Sequence, residues 1–418
     1  MEMEKNPSLL EPMRVIDLTD EKGYLCGRLL GDLGADVIKV ERPGGDPGRR
    51  LGPFYHDLPH PEKSLYWFSY NANKRGITLN IETADGKELL FKLVKTADVV
   101  IESFSPGYLG KLNLGYKALS EVNPGIILTS ISPFGQTGPY SHFEGSDIVL
   151  MAMGGYMYTC GDPDRPPLRM SYPQAYLFAS AEGAVGTLIA YYHREITGEG
   201  QHVDVSAQHS VTWTTLGFAW PSLTGKALPR VGQFRVGLSA TAQQRHLWPC
   251  KDGFVSFQIY GRKFGAKANR ALTQWMDEEG MATDFLKVMD WENFDMSQAT
   301  QATMDQIEEP IGRFFLIHTK AELEEGALKR DIFLYPVCNM SDVFASPQLK
   351  ERGYWVEVDH PELGVSITYP GPWVQGSEKV WSMRRRAPLI GEHNHEIYKE
   401  ELGLSDTELL VLREAGII

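Results

Sequence analysis

The chain has 418 residues, which is enough for two or three domains with cores of their own. Its 42% hydrophobic and 23% charged residues are typical of an ordinary globular protein. A net charge of −13 argues against broad nucleic-acid binding, because that binding requires a basic surface.

We find no sequence signal for export, membrane insertion or metal binding. Residues 1–7 are acidic and polar, without the basic and apolar stretches of a secretory signal. No window reaches the roughly 18 apolar residues that a membrane span needs. The four cysteines lie far apart, with no C-x-x-C pair and no metal-spaced histidine cluster: Cys26, Cys160, Cys250 and Cys338. We therefore expect a cytoplasmic protein with reduced thiols and no metal site.

The first 220 residues alternate between short apolar segments and segments with helical periodicity. Runs rich in Val and Ile predict strands at residues 14–17, 36–40, 77–81, 98–101, 126–130 and 202–205. Apolar spacing predicts helices at residues 21–33 with Asp20 as N-cap, at 83–95, and at 177–195 with Gly198 beyond its end. Strands that alternate with helices in this way predict an α/β fold with an open parallel sheet.

The character of the sequence changes near Pro221. Residues 225–237 are basic and rich in turn formers, residues 246–260 read as a hairpin, and residues 266–329 read as polar helices. We therefore predict three segments: residues 1–220 as the N-terminal part of a large Rossmann-like domain, 221–335 as a smaller α+β domain, and 336–418 as a return to the large domain.

Three loops rich in glycine or proline follow predicted strands. They begin at Arg42 (R-P-G-G-D), Glu102 (E-S-F-S-P-G) and Ser132 (S-P-F-G-Q-T-G-P-Y). Each alone is ordinary turn chemistry. Ligands of open parallel sheets bind at the carboxyl ends of strands, so neighbouring loops there predict a shared crevice. The G-x-G-x-x-G pattern of dinucleotide sites is absent.

Five phrases occur in a fixed order: D-L-G-A-D-V-I-K-V-E-R-P-G-G-D, N-A-N-K-R-G-I-T-L-N, A-D-V-V-I-E-S-F-S-P-G, S-I-S-P-F-G-Q-T-G-P-Y and T-G-E-G-Q-H-V-D-V-S. With P-L-I-G-E-H-N near the C-terminus, they resemble the class III CoA-transferases of the formyl-CoA and carnitine CoA-transferase type. The resemblance covers nearly the whole chain. It implies that CoA moves between carboxylic acids through an aspartyl nucleophile, with a CoA thioester as substrate and no covalently bound cofactor. It also implies a large α/β domain built from both chain ends, a smaller domain, and an interlaced, ring-like dimer.

The resemblance also implies which residues contact the nucleotide part of CoA. These lie in the first βα loop, after the second strand, and in and after the loop at residues 103–107: Lys22, Arg42, Phe104, Pro106, Gly107 and Lys111. Ser103 stands where the family usually has asparagine.

The family's nucleophilic aspartate falls on Tyr176, ten residues before Gly186. A phenol cannot form the mixed anhydride and the enzyme–CoA thioester that a carboxylate forms. The glycine-rich loop that shields the intermediate in this family is also missing near residues 235–244. The resemblance therefore predicts no catalytic residue in this chain. It predicts a non-catalytic subunit whose homologous partner, in a heterodimer or heterotetramer, carries the aspartate.

Other interpretations remain open. An active transferase could use Glu182 or Asp147 as its nucleophile, although an acid at a turn or cap is ordinarily structural. An acyl-CoA racemase of this superfamily needs a histidine in a G-H-D phrase, and Ser146 occupies that place here. A CoA-binding protein without transfer activity is the third alternative.

Within the family, Y-P-Q-A-Y-L and D-E-K-G-Y-L-C-G most resemble one subunit of the succinyl-CoA:benzylsuccinate CoA-transferases of anaerobic toluene breakdown. That similarity implies a dicarboxylic acid, an aryl-substituted succinate, as the CoA acceptor. An aromatic-rich segment supplies candidate specificity residues: Phe54, Tyr66, Trp67, Phe68 and Tyr70.

Overall fold

The computed structural model describes residues 8–217, 223, 225, 230–236 and 242–418. The chain divides into two compact units. The larger comprises Met1–Gly154, Ser171–Trp213 and Pro347–Ile418, and the smaller comprises Gly155–Met170 and Thr214–Ser346. Segments from both halves of the sequence therefore build the larger unit.

Six strands of the larger unit form one parallel sheet with the order β3-β2-β1-β4-β5-β6. They are β1 (Arg14–Leu18), β2 (Asp36–Glu41), β3 (Lys74–Thr78), β4 (Val99–Glu102), β5 (Ile127–Ser132) and β6 (His202–Ser206). The predicted α/β fold with an open parallel sheet is thus confirmed. The strand order reverses between β1 and β4, and such a point leaves a crevice beyond the carboxyl ends of the two strands.

The predicted start of β3 at residue 77 is wrong by three residues. The strand begins at Lys74, and both Lys74 and Arg75 pair with β2. These two charged side chains do not read as part of a buried strand. Each nevertheless has acidic partners: the Lys74 ammonium lies 2.8 Å from Asp17 Oδ2, and Arg75 Nε donates to Asp36 Oδ1 at 2.9 Å.

Helices cover both faces of the sheet: α1 (Tyr24–Asp32), α2 (Leu65–Asn71), α3 (Ala84–Val94), α4 (Tyr108–Lys111), α5 (Tyr116–Val122), α6 (Asp147–Met153), α7 (Ala175–Thr197) and α8 (Ala207–Trp213). The prediction of Asp20 as the N-cap of α1 is wrong, because the helix begins at Tyr24 with Gly23 at the N-cap. Helix α7 ends as predicted at Gly198, whose φ of +77° suits a glycine. Short 3-10 helices span Pro47–Arg50 and Tyr55–Asp57, and Met157–Thr159 in the smaller unit.

The smaller unit combines short antiparallel strands with helices. Its strands are β7 (Phe234–Val236), β8 (Gln243–Arg245), β9 (Leu247–Cys250), β10 (Gly253–Phe257) and β11 (Leu334–Pro336). Its helices are α9 (Arg262–Glu278), α10 (Asp284–Val288), α11 (Gln301–Ile317), α12 (Lys320–Lys329) and α13 (Met340–Ala345). Trp248, Phe257, Trp275, Phe314 and Phe315 fill its core. Residues 226–229 and 237 of the predicted basic segment lie outside the described residues.

The C-terminal segment completes the larger unit with α14 (Pro347–Glu351), β12 (Trp355–His360), β13 (Val365–Pro370), a π-helical stretch (His395–Glu401) and α15 (Asp406–Glu414). It also covers β3, which is an edge strand of the sheet. The Tyr398 hydroxyl donates to the Thr78 carbonyl at 2.8 Å, and the Asn80 amide donates to the Ile417 carbonyl at 2.7 Å. Covering an edge strand protects it from pairing with other chains. In the part of the chain that the structure describes, no helix has the length and apolar character to cross a bilayer.

Candidate functional site

A cavity of about 800 Å³ lies in the larger unit, at the carboxyl ends of β1, β4 and β5. Lys22 follows β1, Phe104 and Pro106 follow β4, and Pro133 follows β5, and all four line the cavity. The loops that the sequence singled out at two strand ends therefore meet in one crevice. Its size suits a small-molecule ligand.

The loops after β1 and β4 are tied together by Ser103. Its hydroxyl donates to Asp20 Oδ1 at 2.7 Å and accepts from the Asp20 amide at 2.8 Å. The same Asp20 carboxylate holds the Lys22 ammonium in an ion pair. Ser103, at the family's usual asparagine position, thus joins the two loops, and the Lys22 charge is already matched by an acid of its own loop.

Glu102, the last residue of β4, stabilises the loop that follows this strand. The Phe104 amide donates to Glu102 Oε2 at 2.7 Å, and the Phe104 ring lies 4.7 Å from that of Tyr108. Glu102 is only 5% exposed, and burial raises its pKa to about 7. Gly107 has a φ of +83° at the N-cap of α4, a conformation that favours glycine.

Arg42 lies outside the cavity lining, in an exposed cluster with Glu82 and Tyr108. Arg42 Nη2 lies 2.8 Å from Glu82 Oε1, and the Tyr108 hydroxyl donates to the same oxygen at 2.6 Å. The Tyr108 hydrogen bond, followed by the Arg42 charge, lowers the pKa of Glu82. Lys111 is exposed at the end of α4 and forms no ion pair within the described residues. A phosphate at Arg42 has to compete with Glu82.

Tyr176 lies in the first turn of α7 and lines the cavity. Its hydroxyl donates a hydrogen bond to the Gly145 carbonyl. Burial raises the pKa of the phenol, and the charges of Asp20, Glu21 and Asp147 raise it further. The group at this position is therefore a neutral hydrogen-bond donor.

Of the two alternative nucleophiles, Asp147 lines the cavity and Glu182 does not. The Oδ1 atom of Asp147 accepts from the amides of Gln174 at 2.6 Å and Ala175 at 2.9 Å, at the N-terminus of α7. Its Oδ2 is buried and has no hydrogen-bond partner among the described residues. Glu182 accepts from the Ser210 hydroxyl at 2.5 Å. Ser146, at the racemase histidine position, is the N-cap of α6 and lines the cavity.

The aromatic residues that were candidates for substrate specificity lie partly in the cavity lining and partly in the buried core. Tyr66 and Tyr70, four residues apart on α2, line the cavity. Trp67 and Phe68 face the opposite way and are 0% and 4% exposed in a core cluster with the β12–β13 hairpin. The prediction that Trp67 and Phe68 lie on a specificity surface is therefore wrong, since helical periodicity sends them inward. Phe54 is not among the lining residues.

Sequence reasoning missed several lining residues on three irregular segments, after β1, before α6 and before α7: Glu21, His142, Phe143, Glu144 and Tyr172. Glu21 belongs to the phrase D-E-K-G-Y-L-C-G and Tyr172 to Y-P-Q-A-Y-L, and Glu144 lies two residues before Ser146, so these phrases were the available signal. Residues 237–241 of the predicted missing shielding loop lie outside the described residues.

The four cysteines are free thiols, and no metal-binding cluster occurs among the residues that the structure describes.

Comparisons with known proteins agree with this geometry. A family model described as CoA-transferase family III matches residues 10–394. The subunit BbsE of succinyl-CoA:(R)-benzylsuccinate CoA-transferase from Thauera aromatica is 36% identical over 397 residues, covering 93% of each chain. Succinyl-CoA–D-citramalate CoA-transferase from Chloroflexus aurantiacus is 30% identical over 422 residues, covering 100% of each.

Solved structures give the same result. A CaiB/BaiF family protein from Brucella suis superposes with a TM-score of 0.81 at 28% identity, over 94% of this chain and 99% of the other. The resemblance predicted from sequence phrases is confirmed, including the similarity to a benzylsuccinate CoA-transferase subunit. The chain belongs to CoA-transferase family III.

Proposed function

We propose that this chain is the non-catalytic subunit of a heteromeric CoA-transferase, which moves CoA from an acyl-CoA such as succinyl-CoA to a carboxylic acid. The observation that carries this proposal is Tyr176, a neutral phenol bonded to the Gly145 carbonyl at the position of the family's aspartate. A phenol in that state offers no carboxylate for the mixed anhydride. The partner chain supplies the aspartate.

The name of the relative BbsE, a subunit of an enzyme acting on (R)-benzylsuccinate, suggests an aryl-substituted succinate as the acceptor acid. With that acceptor, the enzyme serves the anaerobic breakdown of toluene. CoA held by this chain contacts Arg42 and Lys111 through its phosphates, with Lys22, Phe104, Pro106 and Gly107 around the rest of the nucleotide. The bidentate guanidinium and the compact ammonium are both suited to phosphate.

A stripe of exposed apolar residues on α7 supports assembly with a partner. Val185, Ile189, Tyr192 and Ile196 are 57%, 65%, 69% and 68% exposed and follow i, i+4, i+7, i+11 spacing on one face of the helix. A continuous apolar face of this kind marks an interaction surface. Interlacing of the two chains across it would make an obligate interface.

The test is a transferase assay of the chain alone, the partner alone and the co-expressed pair, with succinyl-CoA and benzylsuccinate. We expect turnover only from the pair, and equal amounts of both chains by native mass spectrometry. Ile189→Lys with Tyr192→Lys should abolish the pair, whereas Leu410→Lys, also exposed but on α15, should not. Robust turnover by the isolated chain contradicts the proposal.

One observation favours a second candidate, an active transferase with Asp147 as nucleophile. Asp147 lines the cavity, as Glu182 does not, and its Oδ2 is unpartnered in the described part of the chain. Asp147→Asn keeps the acceptor that caps α7 but removes the carboxylate. Turnover that survives this change rules the candidate out. Turnover by the isolated chain that is lost with it supports the candidate.

A further inference from the structure

Three polar side chains on neighbouring strands form a hydrogen-bonded chain at the base of the loop at residues 103–107. Glu102 and Ser130 are direct partners across β4 and β5, and the Ser130 hydroxyl hydrogen-bonds the Glu102 carboxyl. Ser130 Oγ also lies 2.8 Å from Nε2 of His202, the first residue of β6. The chain therefore connects a carboxyl inside the sheet to an imidazole on its edge strand.

The two ends of this chain differ in their exposure. Glu102 and Ser130 are 5% and 1% exposed, whereas His202 is exposed. The His202 ring stacks on the Tyr116 ring of α5, with the two centroids 5.9 Å apart and the two planes at 18°. The imidazole thus gives the buried carboxyl a hydrogen-bonded link to the surface.

One proton satisfies every group in the chain. A neutral Glu102 donates to the Ser130 oxygen, the Ser130 hydroxyl donates to His202 Nε2, and Glu102 Oε2 accepts from the Phe104 amide at 2.7 Å. If the proton lies on His202 instead, the imidazolium donates to Ser130, and Ser130 donates to the ionised carboxylate. Without an acceptor at position 202, the Ser130 proton has no partner in the neutral arrangement, which is then disfavoured.

The surroundings of Glu102 favour its neutral form. Burial raises the pKa of Glu102 to about 7, and hydrogen bonds from Ser130 and Phe104 oppose that shift. The charges of Asp20 and Lys22, in the loop after β1, have smaller and opposite effects on the same pKa. The balance leaves the proton on the carboxyl at pH values where an ordinary glutamate has lost it.

The surroundings of His202 favour its neutral form as well. Partial burial lowers the pKa of His202, and the charge of Asp204 on the same strand opposes that shift. Burial raises the pKa of Tyr116, and the charge of Glu199 adds to that effect, so the stacked phenol stays neutral. A neutral imidazole is the state that can accept from Ser130.

We propose that His202 is a positioning residue for the loop at residues 103–107: acting through Ser130, it keeps the Glu102 carboxyl neutral and thereby stabilises the position of the Phe104 amide. The inference rests on the proposed function in one respect, because this loop carries residues assigned to CoA. It deepens that function by making the loop depend on pH. As the pH rises, Glu102 ionises, and a buried charge at the base of the loop loosens it and repels the CoA phosphates.

The test is hydrogen–deuterium exchange of a peptide that contains the Phe104 amide, in the co-expressed pair, with labelling times rescaled for the intrinsic effect of pH. Protection in the wild type should fall from about pH 5 and become constant above about pH 7. His202→Phe keeps a ring against Tyr116 but removes the acceptor, so the constant region should begin about one pH unit lower. His202→Gln loses the ring but keeps an acceptor, so it should retain the wild-type profile.

Two further variants and a control complete this test. Glu102→Gln should remove the pH dependence of protection, and in Ser130→Ala the added His202→Phe change should have no effect, because the link is cut. His395→Phe replaces an exposed histidine of the C-terminal segment and should keep the wild-type profile. A wild-type profile in His202→Phe, or a lowered profile in His202→Gln, would overturn the inference.

Calorimetry with CoA at about pH 6 and about pH 8 measures the consequence for the nucleotide. The loss of affinity between these two pH values should be at least about threefold greater in the wild type than in Glu102→Gln, since the ionisation of CoA itself is common to both. Equal losses would overturn the link between His202 and CoA. Absence of CoA binding would contradict the proposed nucleotide contacts, whereas the exchange profiles alone decide the role of His202, so the two can fail separately.

Discussion

Two groups of acids and lysines in the larger unit differ in whether the charges of the two signs are balanced. The first group lies beneath α1 and consists of two acids and two lysines, all at least nine-tenths buried: Asp17, Asp46, Lys39 and Lys74. Lys74 Nζ lies 2.8 Å from Asp17, and Lys39 Nζ lies 3.6 Å from Asp46. The described cavity lining has three acids and one lysine. Paired charges are compatible with a permanently buried core. The excess of acids over lysines in the cavity lining is compatible with a site that is open to a ligand.

The pKa shifts follow the same division. Burial alone raises the pKa of Asp17, but Lys74 and Lys39 outweigh it and the net pKa is lowered. At the cavity, burial raises the pKa of Glu21, Asp20 adds to the effect, and Lys22 does not offset it. Glu102, below the loop, has its pKa raised to about 7 by burial. The ionised carboxylate is therefore favoured at Asp17 and disfavoured at Glu21 and Glu102.

The largest expected effect is on the matched group. Asp17→Asn leaves two buried lysines with one acid, and removing one partner of a buried ion pair costs about 3–5 kcal/mol. The free energy of unfolding from urea titration should fall by that amount. If the single variant does not fold, Asp17→Asn with Lys74→Met should recover much of the loss, because charge balance is restored.

Asp406→Asn is the control for this prediction. Asp406 is exposed and paired with Lys399 at 2.6 Å, and surface pairs contribute little. The urea concentration at the unfolding midpoint of Asp406→Asn should equal that of the wild type. An Asp17→Asn variant as stable as this control would show that the matched group is not what holds the sheet and α1 together.

A smaller effect is expected at Glu102, as a pH dependence. A carboxyl whose pKa rises from 4.5 to about 7 on folding contributes stability below pH 4.5 and loses it as pH rises through 7. Glu102→Gln should therefore be as stable as the wild type near pH 4.5. At pH 8 it should be more stable, by on the order of 3 kcal/mol.

Chemical denaturation across pH 4.5 to 8 measures this slope. The Glu102→Gln change should leave the loop in place, since the new amide oxygen can still accept from the Phe104 amide. Glu88→Gln, on the exposed face of α3, should keep the wild-type slope. The same slope in Glu102→Gln and wild type would mean that the Glu102 carboxyl ionises normally.

The smallest effect is expected at the exposed Arg42 cluster. Glu82→Gln frees Arg42 from its own acid, so CoA should bind the chain about two- to fivefold more tightly, the range of an exposed ion pair. Arg42→Ala should weaken binding by about tenfold or more, since a charged hydrogen bond is lost. Calorimetry with CoA measures the increase in affinity expected for Glu82→Gln and the decrease expected for Arg42→Ala. Equal affinities in the wild type and both variants would show that Arg42 is not part of the nucleotide site.

Much of the fold was predictable from local pattern. A helix was predicted at residues 83–95, and α3 spans Ala84–Val94 with Thr83 as its N-cap. Gly198 ends α7 as predicted. The start of β3 was not predictable, because Lys74 reads as polar until its partner Asp17, 57 residues away, is known. Long-range pairing of this kind has no local signature.

The candidate site was predictable from local pattern where it follows strand ends, and at Asp147 and Tyr176 from the family resemblance. Lys22, Phe104 and Pro106 reach the cavity because parallel strands end at the same edge of the sheet. Glu144 and Tyr172 come from segments without periodicity, so nothing in their spacing placed them there. The pairing of Arg42 with Glu82 joins two loops 40 residues apart and was equally invisible.

The most direct test of the account is the turnover number of the co-expressed pair with Tyr176→Phe in this chain. Loss of the hydrogen bond to Gly145 should cost about 0.5–1.5 kcal/mol of stability. Turnover with succinyl-CoA and benzylsuccinate should stay within about twofold of wild type, because in the proposed heteromer the partner's carboxylate performs the chemistry. A fall of about a hundredfold or more in a pair that still assembles would place the Tyr176 phenol in the reaction and contradict the account.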